Sequence, residues 1–317
     1  MTAPYQPVSR RPNAAGDVVI TTFNVQNLFP LTADPDVAKV GLLTPQGIDT
    51  KLAKLTLAIV YELRLPHIIA VQEVGGISPL RALARRVNTA VDSVDYRAVA
   101  PATSDRRGLR LGFLWDAARV QALSLGQLAG TAVSNAFGAD CANPGREPLL
   151  GVFQVQGQQI AVINNHFKSN YVPEAQSAFA EKLRVANAEL RLAQAAAVRA
   201  YAEWRQATFA DEWLLVTGDF NDGSLSPGSP LAYLTAGEPP LTNLLLAQPH
   251  DEPPYTLVWD EAAQLLDHML ADPQMARACT AVNVLHFNAD YSTDLQDDAT
   301  TACRSSDHDA LEAHFVV

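Results

Sequence analysis

Leu214-Leu-Val-Thr-Gly-Asp-Phe-Asn221 sets the reading of this chain: an apolar run that stops abruptly at polar groups able to do chemistry. Short apolar runs mark strands buried on both faces. Asp219 and Asn221 come directly after, where α/β proteins place their sites, at strand ends and in the loops beyond them. The pattern recurs along the sequence. Val18-Val-Ile-Thr-Thr-Phe23 is followed by Asn24, Ile68-Ile-Ala-Val-Gln72 by Glu73, and Ile160-Ala-Val-Ile163 leads into Asn165-His166. Taken alone, Asn24 reads as a turn residue, and Glu73 reads equally as a solvated charge or a ligand. Their repetition at successive strand ends is the signal.

Amphipathic helical segments alternate with these runs, which predicts an α/β class. Leu52, Leu55, Ile59 and Leu63 share a helix face, with Asp49 or Thr50 placed to cap it. Ser78-Pro79 reads as the opening of a second helix, with Leu80, Leu83, Val87 and Val91 on one side. Residues 97–100, 110–115, 150–156 and 159–165 read as strands, the last two joined by a tight turn at Gly157-Gln158. Residues 131–148 read as a loop. A long helix is predicted over 173–206, with Phe179, Leu183, Ala186, Leu190, Ala193, Ala197, Tyr201 and Trp204 as its apolar stripe. Residues 212–217 and 311–317 read as further strands. The polar residues 1–16, with three prolines, read as a flexible N-terminal arm, and 17–317 as one catalytic domain, since no repeat or linker interrupts it.

Bulk numbers narrow the function. Of 317 residues 48% are hydrophobic, and the net charge is −11, which excludes binding of polyanions through an overall positive field. A phosphate substrate must meet a local basic patch or bound cations. No run approaches the roughly 20 apolar residues of a bilayer span, so no membrane insertion is expected. No apolar stretch follows the first basic residues, so the chain as given is expected to carry no signal peptide. Cys141, Cys279 and Cys303 leave both a single disulfide and three thiols open. No obligate protein partner is indicated.

Several motifs occur in a fixed order: Thr22-Phe-Asn-Val-Gln-Asn-Leu-Phe29, Val71-Gln-Glu-Val74, Asn165-His-Phe-Lys-Ser169, Thr217-Gly-Asp-Phe-Asn221, Leu266-Asp-His-Met269 and Ser306-Asp-His-Asp309. The set resembles the endonuclease/exonuclease/phosphatase superfamily across residues 17–317. Within it, the chain is most similar to bacterial, often extracellular, nucleases. The shared features are His-Phe-Lys-Ser, Tyr255-Thr-Leu-Val-Trp-Asp260 and His286-Phe-Asn-Ala-Asp290. That resemblance implies a four-layer α/β sandwich, two packed β-sheets flanked by helices. It also implies a metal-dependent phosphodiesterase acting on DNA or RNA, and a secreted location, with the cytoplasm as the alternative.

The resemblance assigns roles residue by residue. Asn24, Glu73 and Asp307 would hold Mg²⁺ or Mn²⁺, hard ions suited to oxygen donors, with Ca²⁺ as another option. His166, Asp219, Asn221, Asp267 and His308 would be catalytic. Asp219 or His308 would activate water, and Asp267 would fix the tautomer of His308 and raise its pKa. Asn165, Lys168 and Arg110 would contact substrate, although Lys168 and Arg110 are as readily explained as ordinary surface charges. His268 reads as structural. Arg81, Arg85, Arg86, Arg106 and Arg107 read either as a basic rim or as the polar side of a helix and a turn. Gln26 stands where many relatives carry an acid, which implies a weaker or single-ion metal site. An inositol-phosphate phosphatase, a sphingomyelinase and an inactive binding module on the same scaffold are the rival readings.

Overall fold

A computed structural model describes residues 16–30, 44–138, 141, 144–172 and 177–317. In chain order it begins with β1 (Asp17–Leu28), α1 (Pro45–Leu57), β2 (Ile68–Val74) and α2 (Ile77–Ala90). Next come β3 (Tyr96–Val99), β4 (Arg110–Asp116), β5 (Gln121–Gln127), α3 (Thr131–Phe137), β6 (Leu149–Val155) and β7 (Gln158–His166). Then follow α4 (Ser177–Thr208), β8 (Trp213–Asp219), α5 (Pro230–Thr235), β9 (Thr242–Asn243), β10 (Leu257–Trp259) and β11 (Ala262–Gln264). The last elements are β12 (Asp267–Ala271), α6 (Pro273–Ala278), β13 (Cys279–Leu285) and β14 (Ala310–Val316).

Two six-stranded sheets result, ordered β13-β14-β1-β2-β4-β3 and β5-β6-β7-β8-β12-β9, with β10-β11 as a separate hairpin. The pairs β1–β2 and β7–β8 are parallel and the other pairings antiparallel. Side chains alternate across a strand, so a strand covered on both sides reads as an unbroken apolar run. On β2, Ile68 and Ala70 enter the core between the sheets, while Ile69 and Val71 face the core under α1 and α2. On β7, Ile160 and Val162 face the first sheet, while Ala161 and Ile163 pack beneath α3, α4 and α5. The outcome is helices, sheet, sheet, helices. Each fully buried Ile, Leu or Val contributes about 1.5–3 kcal/mol.

Local details differ from the sequence reading. Thr44 caps α1, its Oγ1 accepting from Gly47 N at 3.0 Å, because Pro45 opens the helix; Asp49 and Thr50 sit inside it. Gly76 precedes α2, so Ser78 and Pro79 lie within its first turn. The β6–β7 turn is Gln156-Gly157, both at positive φ (51° and 95°), one residue earlier than expected. Helix α3 occupies part of the expected loop at 131–148, and the edge strand β5 was not foreseen. The stripe expected on α4 is met only in part: Ala197 is in the core and Tyr201 packs against it, but Phe179 and Trp204 are exposed, while Gln194, Ala195, Val198, Arg199 and Ala202 are buried. The expected arm lies outside the described residues except Gly16, whose carbonyl accepts from Val317 N at 2.9 Å, and so does the expected start of the long helix at 173–176. All three cysteines are thiols, not joined in a disulfide. Among the described residues no helix is long and apolar enough to cross a membrane.

Candidate active site

The parallel pairs β1–β2 and β7–β8 end at one edge of the sandwich, and β12 and β14 start there because they run antiparallel to β8 and β1. Both sheets therefore deliver side chains to one mouth. Strand register sets three of them abreast: His166 pairs with Asp219 across β7–β8, and Asp219 with Asp267 across β8–β12. Directly opposed residues in a sheet bring their side chains about 5 Å apart on the same face. Gly218 makes this possible. At its φ of 132° an added Cβ would stand 2.0 Å from the carbonyl oxygen of Asn165.

The first sheet contributes through a distortion. Register between β1 and β2 breaks after Asn24, where Gln26 (φ 48°), Asn27 (φ 53°) and Glu73 (φ 62°) take left-handed backbone. Such conformations cost about 1–3 kcal/mol each in non-glycine residues, and bulges of this kind re-aim side chains. Here Glu73 Oε2 accepts from Asn27 N at 3.0 Å, and Oε1 lies 3.9 Å from His166 Nε2.

Asp219 is the meeting point. Its Oδ2 accepts from Asn24 Nδ2 at 3.1 Å and lies 3.4 Å from His166 Nε2 and 3.9 Å from His308 Nε2. Its Oδ1 accepts from the backbone N of Asn221 at 2.9 Å. Burial pushes the Asp219 pKa up to about 7; His308 pulls it down, while Asp267 and Glu73 add to the rise. His308 Nδ1 bonds Asp267 Oδ2 at 2.7 Å. Burial opposes a charge on His308, but the Asp267 carboxylate outweighs it by charge and hydrogen bond and holds the pKa well above the ordinary value. His166 goes the other way. Burial, then Arg146, His308, Arg107 and Lys168, push its pKa well below normal, and its Nδ1 has no hydrogen-bond partner among the described residues.

Further charges line the mouth. Glu73 and Asp307 converge near Lys51, whose ammonium donates to the carbonyl of Ser305 and feels both carboxylates. Arg146, Arg107 and Lys168 lie close enough to His166 to depress its pKa, and Arg107 donates to Asn27 Oδ1 at 2.8 Å. Arg146 is buried and is anchored by donation to the carbonyls of His166 (3.2 Å) and Phe167 (2.9 Å). Asp219, Asp267 and His308 also present ligand-type atoms within 4.8 Å of one another. A histidine held protonated by Asp267 repels a cation there, and at Glu73 and Asp307 a cation would share its carboxylates with the Lys51 ammonium. Donors for a metal therefore stand at both places, and each has a positive neighbour.

Three solved structures share this architecture. Truncated TDP2 from Caenorhabditis elegans superposes with a TM-score of 0.62 at 12% identity, over 96% of this chain and 99% of that one. An endonuclease/exonuclease/phosphatase from Bacteroides vulgatus gives 0.61 at 15% identity, over 95% and 99%. The chain has the endonuclease/exonuclease/phosphatase fold. A mannosyl-6-phosphatase from Bacteroides thetaiotaomicron shares this fold too, with a TM-score of 0.60 at 14% identity over 95% and 100%. No protein-family model and no curated protein matches the sequence.

Within this fold, Asn24, Glu73, His166, Asp219, Asn221, Asp267, Asp307 and His308 gather at the mouth. Asn24 spends its amide as a bridge, donating to Asp219 and accepting from Gln26 N at 3.0 Å. Asn165 is turned away: its Nδ2 donates to the carbonyls of Ile163 (2.9 Å) and Thr217 (3.1 Å), bracing β7 to β8. Arg110 is buried on β4, with Nη1 3.5 Å from the carbonyl of Ala100, and is not among the cations acting most on His166. Lys168 is near the mouth and half-buried. His268 is structural, accepting from Asn243 at 3.1 Å and donating to the carbonyl of Asp222 at 2.8 Å.

Sequence reading missed Lys51, Arg146 and Asn164. Asn164 links the sheets under the site, donating to the carbonyls of Val71 (3.0 Å) and Gly112 (2.9 Å) and accepting from Gln72 (2.7 Å). The only available signal for Asn164 was a polar residue directly after the apolar run of β7.

Proposed function

We propose that this chain is a divalent-cation-dependent phosphodiesterase that hydrolyses nucleic acid. The observation that carries this reading is Asp219, buried between two imidazoles of opposite charge state, with a pKa near neutrality. Such a group takes a proton from water efficiently at neutral pH. The new P–O bond forms as that proton passes to Asp219 Oδ2, and the P–O bond to the leaving oxygen breaks, the alkoxide so released taking a proton from water. Asn221 and Asn24 fix the carboxyl's orientation. His308, kept as an imidazolium by Asp267, holds a phosphoryl oxygen through Nε2, and Arg107, Lys168 and Arg146 meet the phosphate charge. Glu73 and Asp307, oxygen donors suited to Mg²⁺ or Mn²⁺ with Ca²⁺ as an alternative, would hold a cation that adds positive charge at the phosphoryl and leaving oxygens.

Nucleic acid is favoured over a compact phosphate ester by two exposed aromatics at the rim. Tyr171 follows His166-Phe-Lys-Ser-Asn, and Trp259 ends the strand whose Leu257 bridges His308. Their rings lie 6.4 Å apart, edge to face, and are 64% and 56% exposed. Unpaired bases stack on such rings without regard to sequence.

The test is a panel of plasmid DNA, single-stranded DNA, RNA, mannose 6-phosphate, inositol phosphates and sphingomyelin, each with Mn²⁺, Mg²⁺ or EDTA. Cleavage of nucleic acid that EDTA abolishes is expected. Turnover confined to the sugar phosphate, inositol phosphates or lipid would overturn the substrate reading, and turnover unaffected by EDTA would overturn the cation.

A further inference from the structure

Lys54 of α1 is 1% exposed, although lysine is almost never fully buried without partners. Its Nζ lies within donating distance of four backbone carbonyls, those of Cys303 (2.7 Å), Leu295 (2.8 Å), Asp298 (2.9 Å) and Thr301 (3.0 Å). An ammonium has three protons. Four oxygens at near-equal range therefore surround a charge rather than pair with separate N–H groups, as carbonyls surround a dehydrated monovalent ion.

All four oxygens belong to a segment outside both sheets. Much of its own bonding is local, such as Asp298 N to Leu295 O and Ser305 N to Ala302 O. That segment runs straight into the site. Ser305 O accepts from Lys51, one turn before Lys54 on α1, and Ser306 Oγ donates to the carbonyl of Asn24 at 2.6 Å while accepting from His308 N at 3.1 Å. Asp307 lies between them.

We propose that Lys54 is a tethered monovalent cation whose charge sets the course of residues 295–305, and through them the placement of Asp307 and His308. It is a positioning residue, since it touches no reacting atom. Removing its side chain leaves a cage that a free K⁺ or NH4⁺ ion fills. The part concerning Mn²⁺ rests on the proposed role of Asp307; the part concerning the loop does not.

The experiment compares wild type, Lys54→Ala and Lys54→Met at equal ionic strength in KCl, NH4Cl or LiCl. It reads Mn²⁺ affinity by calorimetry and hydrogen exchange of amides 295–309. In LiCl, Lys54→Ala is expected to bind Mn²⁺ about 10–100-fold more weakly, as when the groups supporting a metal ligand are lost, and to lose protection in the loop. KCl or NH4Cl restores both. Lys54→Met, whose thioether fills the cage without charge, shows the losses in all three salts, and wild type shows none. Unchanged behaviour of Lys54→Ala, or losses indifferent to the cation, would overturn the proposal. So would failure of both variants to fold in any salt, because the effect is confined to the loop. Absence of Mn²⁺ binding by wild type would sink the metal reading alone, and the exchange data would then decide.

Discussion

Replacing Asp219 by Asn should destroy activity and make the protein progressively more stable than wild type as pH rises, and that pH dependence follows from the burial of the carboxyl. The folded pKa is about 7, against an ordinary value of 3.8. Below the ordinary value both states are protonated and the group contributes nothing. As pH rises past it, the unfolded chain releases its proton while the folded chain keeps its own until about 7, so stability falls across that window and is flat above it. Between pH 5 and pH 8 this amounts to about 2.5 kcal/mol. An amide at 219 does not titrate, so Asp219→Asn gains that amount on wild type over the same interval. The carboxyl accepts from both Asn24 and Asn221, and the amide keeps one acceptor, which costs about 1–3 kcal/mol at every pH. The pH-dependent difference is therefore the diagnostic quantity. Urea unfolding of both proteins in EDTA at pH 5, 6, 7 and 8 measures it. A stability difference that stays constant over this range would refute the buried, near-neutral Asp219 and the general-base role built on it.

His308→Ala should lower kcat by about two orders of magnitude or more. Asp267→Asn should move the alkaline limb of the pH–rate profile to lower pH, because the carboxylate that raises the His308 pKa is gone; an unmoved limb would refute the pairing. Gly218→Ala should cost about 2–4 kcal/mol in urea unfolding, since its backbone and the Asn165 carbonyl both exclude a Cβ. With Arg107, Arg146 and Lys168 as the phosphate contacts, binding of single-stranded DNA to Asp219→Asn should fall with salt at a log–log slope of about −2. Anisotropy titrations showing a slope steeper than about −5 would point to a basic surface elsewhere.

The parts of the molecule legible in the sequence are those where burial on both faces writes itself as an apolar run. The strands β1, β2, β7 and β8 are of this kind, and with them the positions of Asn24, Glu73, His166 and Asp219. Strand β5 was not legible because it is an edge with most of its residues exposed or half-exposed. Helix α4 misled for a different reason. Its buried face is made largely of small and polar residues such as Ala195, Gln194 and Arg199, while Phe179 and Trp204 stand in solvent, so a search for large apolar side chains meets that face only at Ala197 and Tyr201. Arg146 and Lys54 satisfy themselves on backbone carbonyls, a partnership that leaves no pattern in side-chain types.

Two histidines flank one carboxyl, and the fold favours the charged form of one and the neutral form of the other. Both imidazoles are buried, so desolvation pushes each toward neutrality. What separates them is the neighbour on the far side. His308 rests on Asp267, delivered by β12 in register with Asp219, whereas His166 has Arg146 bound to its own carbonyl and Arg107 and Lys168 close by. A carboxyl between two imidazolium ions would be held ionised at low pKa and be a poor proton acceptor; between two neutral rings, burial would keep it protonated. One charged and one neutral ring leave it near neutrality, ready to take a proton and able to release it. On the proposed reading, an incoming phosphate would meet His308, Arg107, Arg146 and Lys168 at this mouth, in a chain whose net charge is −11.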